Sequence, residues 1–296
     1  MQMKYFNQLL NMKYALFSVV FLSATTVFAL TFPEISSAFS DKGLTALLIG
    51  GFACFCARTV GILINQIIDY NIDKKNPRTS FRVLPSKKLS FNFVSLVTAI
   101  ALFFFVILCM FLNKECTWLA LISITLMVVY AYAKRVTYLC HWMLGLIYYL
   151  AILMNFYALS SGPLSLKMFT IVSLWGITAA MIIAANDIIY AIQDLDFDRE
   201  EKLYSIPACF GKEKAIRIAS VCLVISLASY IAMSVLASFT NLGFVLSLFP
   251  TLVICKTIKN YHEMHKNKAN LERCFFRGNI YLALSFFVVM VSLLLS

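Results

Sequence analysis

Two groups of acidic side chains stand out in this 296-residue sequence. In the first, NQIIDYNID, Asn65, Asp69 and Asp73 recur every four residues. On a helix turning about 100° per residue they lie within about 80° of one another, on one face. In the second, DIIYAIQDLDFD, Asp187, Tyr190, Asp194 and Asp198 make a narrower stripe, and Asp196 falls on the opposite side. Carboxylates that converge repel, so something positive must lie between them. Their oxygens are hard ligands suited to Mg²⁺, which is usually held by one or two carboxylates plus substrate phosphates. Two such groups fit two ions clamping one diphosphate. Arg78 and Arg82 follow the first group, and guanidinium forks match phosphate oxygens. Solvated helix ends are the blander explanation. It suffices for Lys87, Lys88 and the basic stretch 256–274, but not for acids that fall on one face twice.

The elements that carry these groups follow from composition. The chain is 61% hydrophobic and 13% charged, with a mean hydropathy of +0.84. Soluble domains carry about 25% charged residues. A soluble fold cannot hide this much apolar surface, so the expected class is an all-α polytopic membrane protein in a single domain, 1–296. Windows long enough to cross a bilayer lie near 15–33, 44–66, 91–112, 116–133, 141–160, 167–190, 215–238, 241–257 and 275–295. They predict nine transmembrane helices around a central apolar cavity. The eighth is short and contains Pro250.

With the N-terminus in the cytoplasm, the outer loops receive Lys42, Lys114 and Lys167, Arg58 stays inside a span, and every other Lys and Arg falls on the inner side. This is the positive-inside pattern. It accounts for the net charge of +11 without nucleic acid and predicts a multi-pass protein of the cytoplasmic (inner) membrane. Loops 66–90 and 191–214, which hold most of the acids, then share the cytoplasmic face. The nine cysteines show no metal-ligand spacing and read as small buried residues. His141 opens a helix and reads as positional; His262 and His265 lack the further ligands a metal site needs. Trp118 and Trp142 suit interface anchors. Arg58 sits seven residues before Asn65, on the same face and about 10 Å deeper. A cation inside a span is a candidate functional residue, and this one would suit a second, anionic substrate.

The two motifs resemble NxxxDxxxD and DxxYxxxDxxxD of the UbiA superfamily of intramembrane aromatic prenyltransferases. ARTVGILINQIIDYNIDKKNPRTSFRVLP, YAYAKRVTYLCHWMLG and YAIQDLDFDREEKLYSIPACFG are similar to its 4-hydroxybenzoate polyprenyltransferase branch. The resemblance covers nearly the whole chain. It implies Mg²⁺-dependent transfer of a polyprenyl group from polyprenyl diphosphate to the ring of an aromatic carboxylic acid, within the lipid bilayer, in quinone biosynthesis. It implies that Asn65, Asp69 and Asp73 bind one Mg²⁺ and Asp187, Asp194 and Asp198 the other. It places Lys13, Arg78, Arg82 and Lys134 on the diphosphate, with Tyr190 as a further binding residue, and Arg58 on the aromatic acid. Asp194 is the candidate proton acceptor. Asn186, where the family commonly has a bulky apolar residue, is a departure. Prenylation of a dihydroxynaphthoate in a menaquinone route is the alternative reaction. A transporter is the alternative of another class, opposed by acids at helix ends rather than at the midplane.

Overall fold

A computed structural model describes residues 5, 8–10, 15–263 and 270–296. Lys13 and His265 lie outside the described residues. The described chain is helical and contains no strand. The helices are α1 (Ala15–Leu30), α2 (Pro33–Ile68), α3 (Tyr70–Lys75), α4 (Phe91–Leu112), α5 (Lys114–Ala133), α6 (Cys140–Leu159), α7 (Leu166–Ala191), α8 (Leu195–Glu200), α9 (Ile206–Leu236), α10 (Asn241–Leu246), α11 (Leu248–Glu263) and α12 (Asn270–Leu295). Among the described residues, eight helical segments are long and apolar enough to cross a membrane, and Leu16–Leu30 is a shorter apolar helix.

The segment predicted as an outer loop before the second span is instead helix. Two tight turns, Thr31 N–H to Phe28 C=O (3.1 Å) and Phe32 N–H to Ala29 C=O (3.2 Å), end α1. Pro33 then opens α2, with Glu34 in its first turn. Proline at the first helical position loses no bond, and an acid there suits the positive helix end. The eighth window breaks at Ser247 into α10 and α11. Pro250 has no N–H to offer the Leu246 carbonyl, yet it is tolerated in the first turn of α11.

The core is built around α7, the most enclosed span: 67% of its apolar window is buried, against 17–39% for the others. Trp175 on α7 is fully buried, stacks on Phe21 of α1 at 4.8 Å and meets the edge of Phe286 of α12 at 5.1 Å. Its indole N–H donates to Thr25 Oγ1 at 3.0 Å, so the polar tip is satisfied. On the α6 side, a Cβ on Gly145 would lie 2.5 Å from the Ala180 carbonyl oxygen. Only glycine permits that approach of α6 to α7. Trp118 is largely exposed, as an interface residue would be.

Candidate active site

Both acidic motifs sit where a long helix breaks. In the first, α2 stops at Ile68 and α3 starts at Tyr70; Asp69 between them has φ −87° and ψ 8°. The i+4 bonds run through the break: Asp69 N–H to Asn65 C=O (2.9 Å) and Asp73 N–H to Asp69 C=O (2.7 Å). Asn65, Asp69 and Asp73 therefore keep their common side. Pro77 then forces Asn76 into extended backbone, which ends α3 and turns the chain back. In that turn Arg78 N–H donates to Asn76 Oδ1 (2.9 Å) and Thr79 Oγ1 donates to the Asp73 carbonyl (3.1 Å). Leu84, fully buried with Leu9, Leu10, Leu63 and Val94, roots the same loop. Arg78 and Arg82 thus project from an anchored segment.

In the second motif α7 ends at Ala191, a 3-10 turn spans Ile192–Asp194, and α8 carries Asp198. The predicted single helical stripe is therefore a helix tightened at its end, because the chain must turn to reach α9. Ser205 caps α9 by accepting from Ala208 N–H (3.3 Å) and donates its hydroxyl to Asp198 Oδ2 (2.8 Å). Asp196 is exposed and points away from the others.

The two motifs come together at one end of the bundle. A cavity of about 140 Å³ is lined by Asn65, Asp69 and Asp73 from the first and by Asp187, Tyr190, Asp194 and Asp198 from the second. Arg78, Arg82 and Lys134 line it too. Each carboxylate is partnered. Asp69, 1% exposed, meets Lys134 Nζ at 3.3 Å and Arg135 at 3.0 Å. Asp73 accepts from Arg82 at 2.9 Å. Asp194 takes both arms of the Arg78 fork and the Asn76 amide (3.0 Å). Arg78 also donates to the Tyr190 hydroxyl at 2.8 Å and lies over its ring. Asp187 bonds His141 Nδ1 at 2.7 Å. Lys75 bridges to Glu201 at 2.7 Å, joining the two motif loops at the surface.

The positive charge that the sequence demanded among these acids is thus supplied first by the protein's own cations. An unpaired buried carboxylate costs several kcal/mol, on the order of 3–5 when one partner is removed. Burial pulls the Lys134 ammonium down, but Asp69, Asp198 and Asp73 more than reverse it and hold it above the ordinary lysine range. Burial likewise opposes the Arg78 charge, and Asp194 with Tyr190 holds it well above the ordinary value. Both stay charged at neutral pH and can turn to an anion that enters. The donor set fits Mg²⁺: five carboxylates and one amide, all oxygen donors, around one cavity. Among the described residues no three of them form a ready protein cage. A cation held partly by substrate phosphates requires none.

Four residues at the site escaped sequence reasoning. Arg135, counted only as a loop charge, caps the last turn of α2 through the Ile68 carbonyl (2.7 Å) as well as binding Asp69. Asn76, Ser205 and His141 each bond a motif carboxylate. None lies in the acidic spacing pattern, so only adjacency in space reveals them. Asn186, the departure noted in the second motif, donates to Asn279 Oδ1 (2.6 Å) and accepts from the Tyr261 hydroxyl (2.6 Å). It ties α7 to α11 and α12 rather than facing the cavity. Arg58 lies within the apolar span Gly43–Ile68, half-buried and outside the cavity lining. Both oxygens of Asp194 are held by the Arg78 fork.

Comparison with known proteins agrees with this arrangement. The chain is 29% identical over 255 residues to a 4-hydroxybenzoate octaprenyltransferase of Francisella tularensis subsp. mediasiatica, covering 84% of each. It is 28% identical to the enzyme of the same name from Blochmanniella pennsylvanica over 263 residues, 85% of this chain and 83% of that one. Among solved structures, an apo UbiA homologue from Aeropyrum pernix K1 superposes with a TM-score of 0.78 at 23% identity, over 94% of this chain and 97% of that one. A UbiA homologue from Archaeoglobus fulgidus bound to GPP and Mg²⁺ does so at 0.67 and 17% identity, over 99% and 100%. The family model described as UbiA prenyltransferase family matches residues 16–289, so this chain, with its paired acidic motifs at one end of a helical bundle, belongs to the UbiA prenyltransferase family.

Proposed function

We propose that the protein transfers a polyprenyl group from polyprenyl diphosphate to the ring of an aromatic acid of the 4-hydroxybenzoate type. The observation that carries this is the single cavity where both acidic motifs meet Arg78, Arg82 and Lys134. Asn65, Asp69 and Asp73 on one side, and Asp187, Asp194 and Asp198 on the other, would hold Mg²⁺. Bound there, Mg²⁺ neutralises the diphosphate leaving group.

The chain's own residues do the rest. Arg78 and Arg82, released from Asp194 and Asp73, bind diphosphate oxygens, and Lys134 adds a third charge. Lys13 is a further candidate for the diphosphate. Cationic donors already in place stabilise the charge that develops as the allylic C–O bond breaks. The apolar helices keep water from the allylic cation. A ring carbon ortho to the phenol hydroxyl bonds C1 of the prenyl chain, and the ring proton passes to a carboxylate of the cavity, with Asp194 the candidate acceptor, to regain aromaticity. Arg58, deeper on α2, pairs with the aromatic carboxylate. Diphosphate departs toward the cytoplasm, a direction supported by the Lys- and Arg-rich loops at this end, which would lie inside together with the N-terminus. The names of the curated relatives favour the benzoate over the naphthoate.

The test is product mass. Purified protein in lipid nanodiscs is offered prenyl diphosphates of several lengths, with 4-hydroxybenzoate or a dihydroxynaphthoate, with and without Mg²⁺. The expected product is prenylated hydroxybenzoate, lost on chelation and restored by Mg²⁺. Prenylated naphthoate alone, or turnover that survives chelation, would overturn the reading.

A further inference from the structure

His141 is a buried side chain that the sequence leaves as a helix-opening residue. It sits at the start of α6, 2% exposed, on the wall of the charged cavity. Its Nε2 lies 3.2 Å from the backbone nitrogen of Ile206 at the start of α9. A backbone N–H can only donate, so Nε2 accepts and carries no proton. Nδ1, which lies 2.7 Å from Asp187 Oδ2, therefore carries the proton that is donated to it. The ring is fixed in tautomer and in orientation by three elements, α6, α7 and α9. The close approach at Gly145, one turn along α6, brings it within reach of α7. One oxygen of Asp187 is thereby occupied, and the carboxylate cannot rotate freely.

We propose that His141 is a positioning residue for the cation site: it holds Asp187 so that Oδ1 faces the cavity as a ligand. This rests on the Mg²⁺ reading of that cavity. Asp69, Asp73 and Asp194 are held by cations, which withdraw their charge. At Asp187 the imidazole takes one carboxylate oxygen, Oδ2, and leaves the other to the cavity. Hydrogen-bond partners of metal-ligating groups are typically worth about 10–100-fold in metal affinity.

The geometry separates two variants. In His141→Asn the amide nitrogen takes the place of Nδ1 and keeps the bond to Asp187. In His141→Gln the amide reaches the place of Nε2 and keeps the bond from Ile206, but not the donor to Asp187. The probe is Mn²⁺, titrated by electron paramagnetic resonance in nanodiscs with an inert prenyl thiodiphosphate present. The expected result is Mn²⁺ affinity about 10–100-fold weaker in His141→Gln, and within about threefold of the parent in His141→Asn. Equal loss in both, or no loss in His141→Gln, would overturn the proposal. Should His141→Gln fail to fold, His141→Asn decides alone: more than tenfold loss overturns the assignment, and retention supports it. If the parent chain itself bound no Mn²⁺, the cation reading of the cavity would fall instead.

Discussion

The two acidic motifs read alike in sequence but are held differently. The first, on α2 and α3, is clamped by cations: Lys134 and Arg135 on Asp69, Arg82 on Asp73. In the second, on α7 and α8, only Asp194 has a guanidinium; Asp187 is met by the imidazole of His141 and Asp198 by the Ser205 hydroxyl. The first motif is also more deeply buried at its centre, with Asp69 at 1% exposed, whereas the Asp187 side chain is 24% exposed. Burial accounts for Asp69, which has no access to water and is met by two full counter-charges, but not for the whole difference, since Asp198 is as buried as Asp73, each 6% exposed, and is met by a hydroxyl. On the proposed reading, Asp69, Asp73 and Asp194 would exchange cationic partners on substrate binding, whereas Asp187 and Asp198 carry no Lys or Arg partner among the described residues.

The largest expected effect breaks that contrast directly. Asp187→Asn should cut turnover at least about 10²–10³-fold with the folded state little changed. Asp69→Asn should abolish turnover as well, but also destabilise the protein by about 1–3 kcal/mol, because it strands two cations. That is below the cost for a fully buried pair, since Lys134 and Arg135 are 33% and 31% exposed. Thermal unfolding in detergent beside initial rates measures both, and equal melting temperatures for the two variants would erase the asymmetry.

Arg78→Ala sharpens the comparison. With Asp194 freed, Mn²⁺ should bind more tightly in the absence of diphosphate, while KM for the prenyl diphosphate rises about tenfold or more. Weaker Mn²⁺ binding in that variant would mean that Arg78 is no competitor for the carboxylate. Arg58→Ala should raise KM for the aromatic acid several-fold and leave that for the prenyl diphosphate nearly unchanged; equal effects would remove the reason for placing the carboxylate there. The smallest effect is expected from Asp196→Ala, within about twofold of the parent, because the side chain is exposed and outside the cavity. A dead variant would show that the stripe of the second motif has been misphased.

The sequence by itself determined the helical membrane class, the apolar spans and the two acidic groups, because these depend on local quantities: hydropathy over about twenty residues and a spacing of about 3.6 per turn. The i+4 bonds that run through Asp69 preserve the spacing even where α2 ends. Helix boundaries were less legible where local signals conflict, as at Pro33, which extends α2 into an expected loop, and at Pro250, which splits a span. Only the tertiary structure decided which cation meets which carboxylate. Arg135 and Asp69 are 66 residues apart, Arg78 and Asp194 are 116 apart, and His141 and Asp187 are 46 apart. Such pairs follow from how α5 and α6 pack beside α2 and α7 packs on α6, with Gly145 setting one of the close approaches, and no period in the chain encodes that packing.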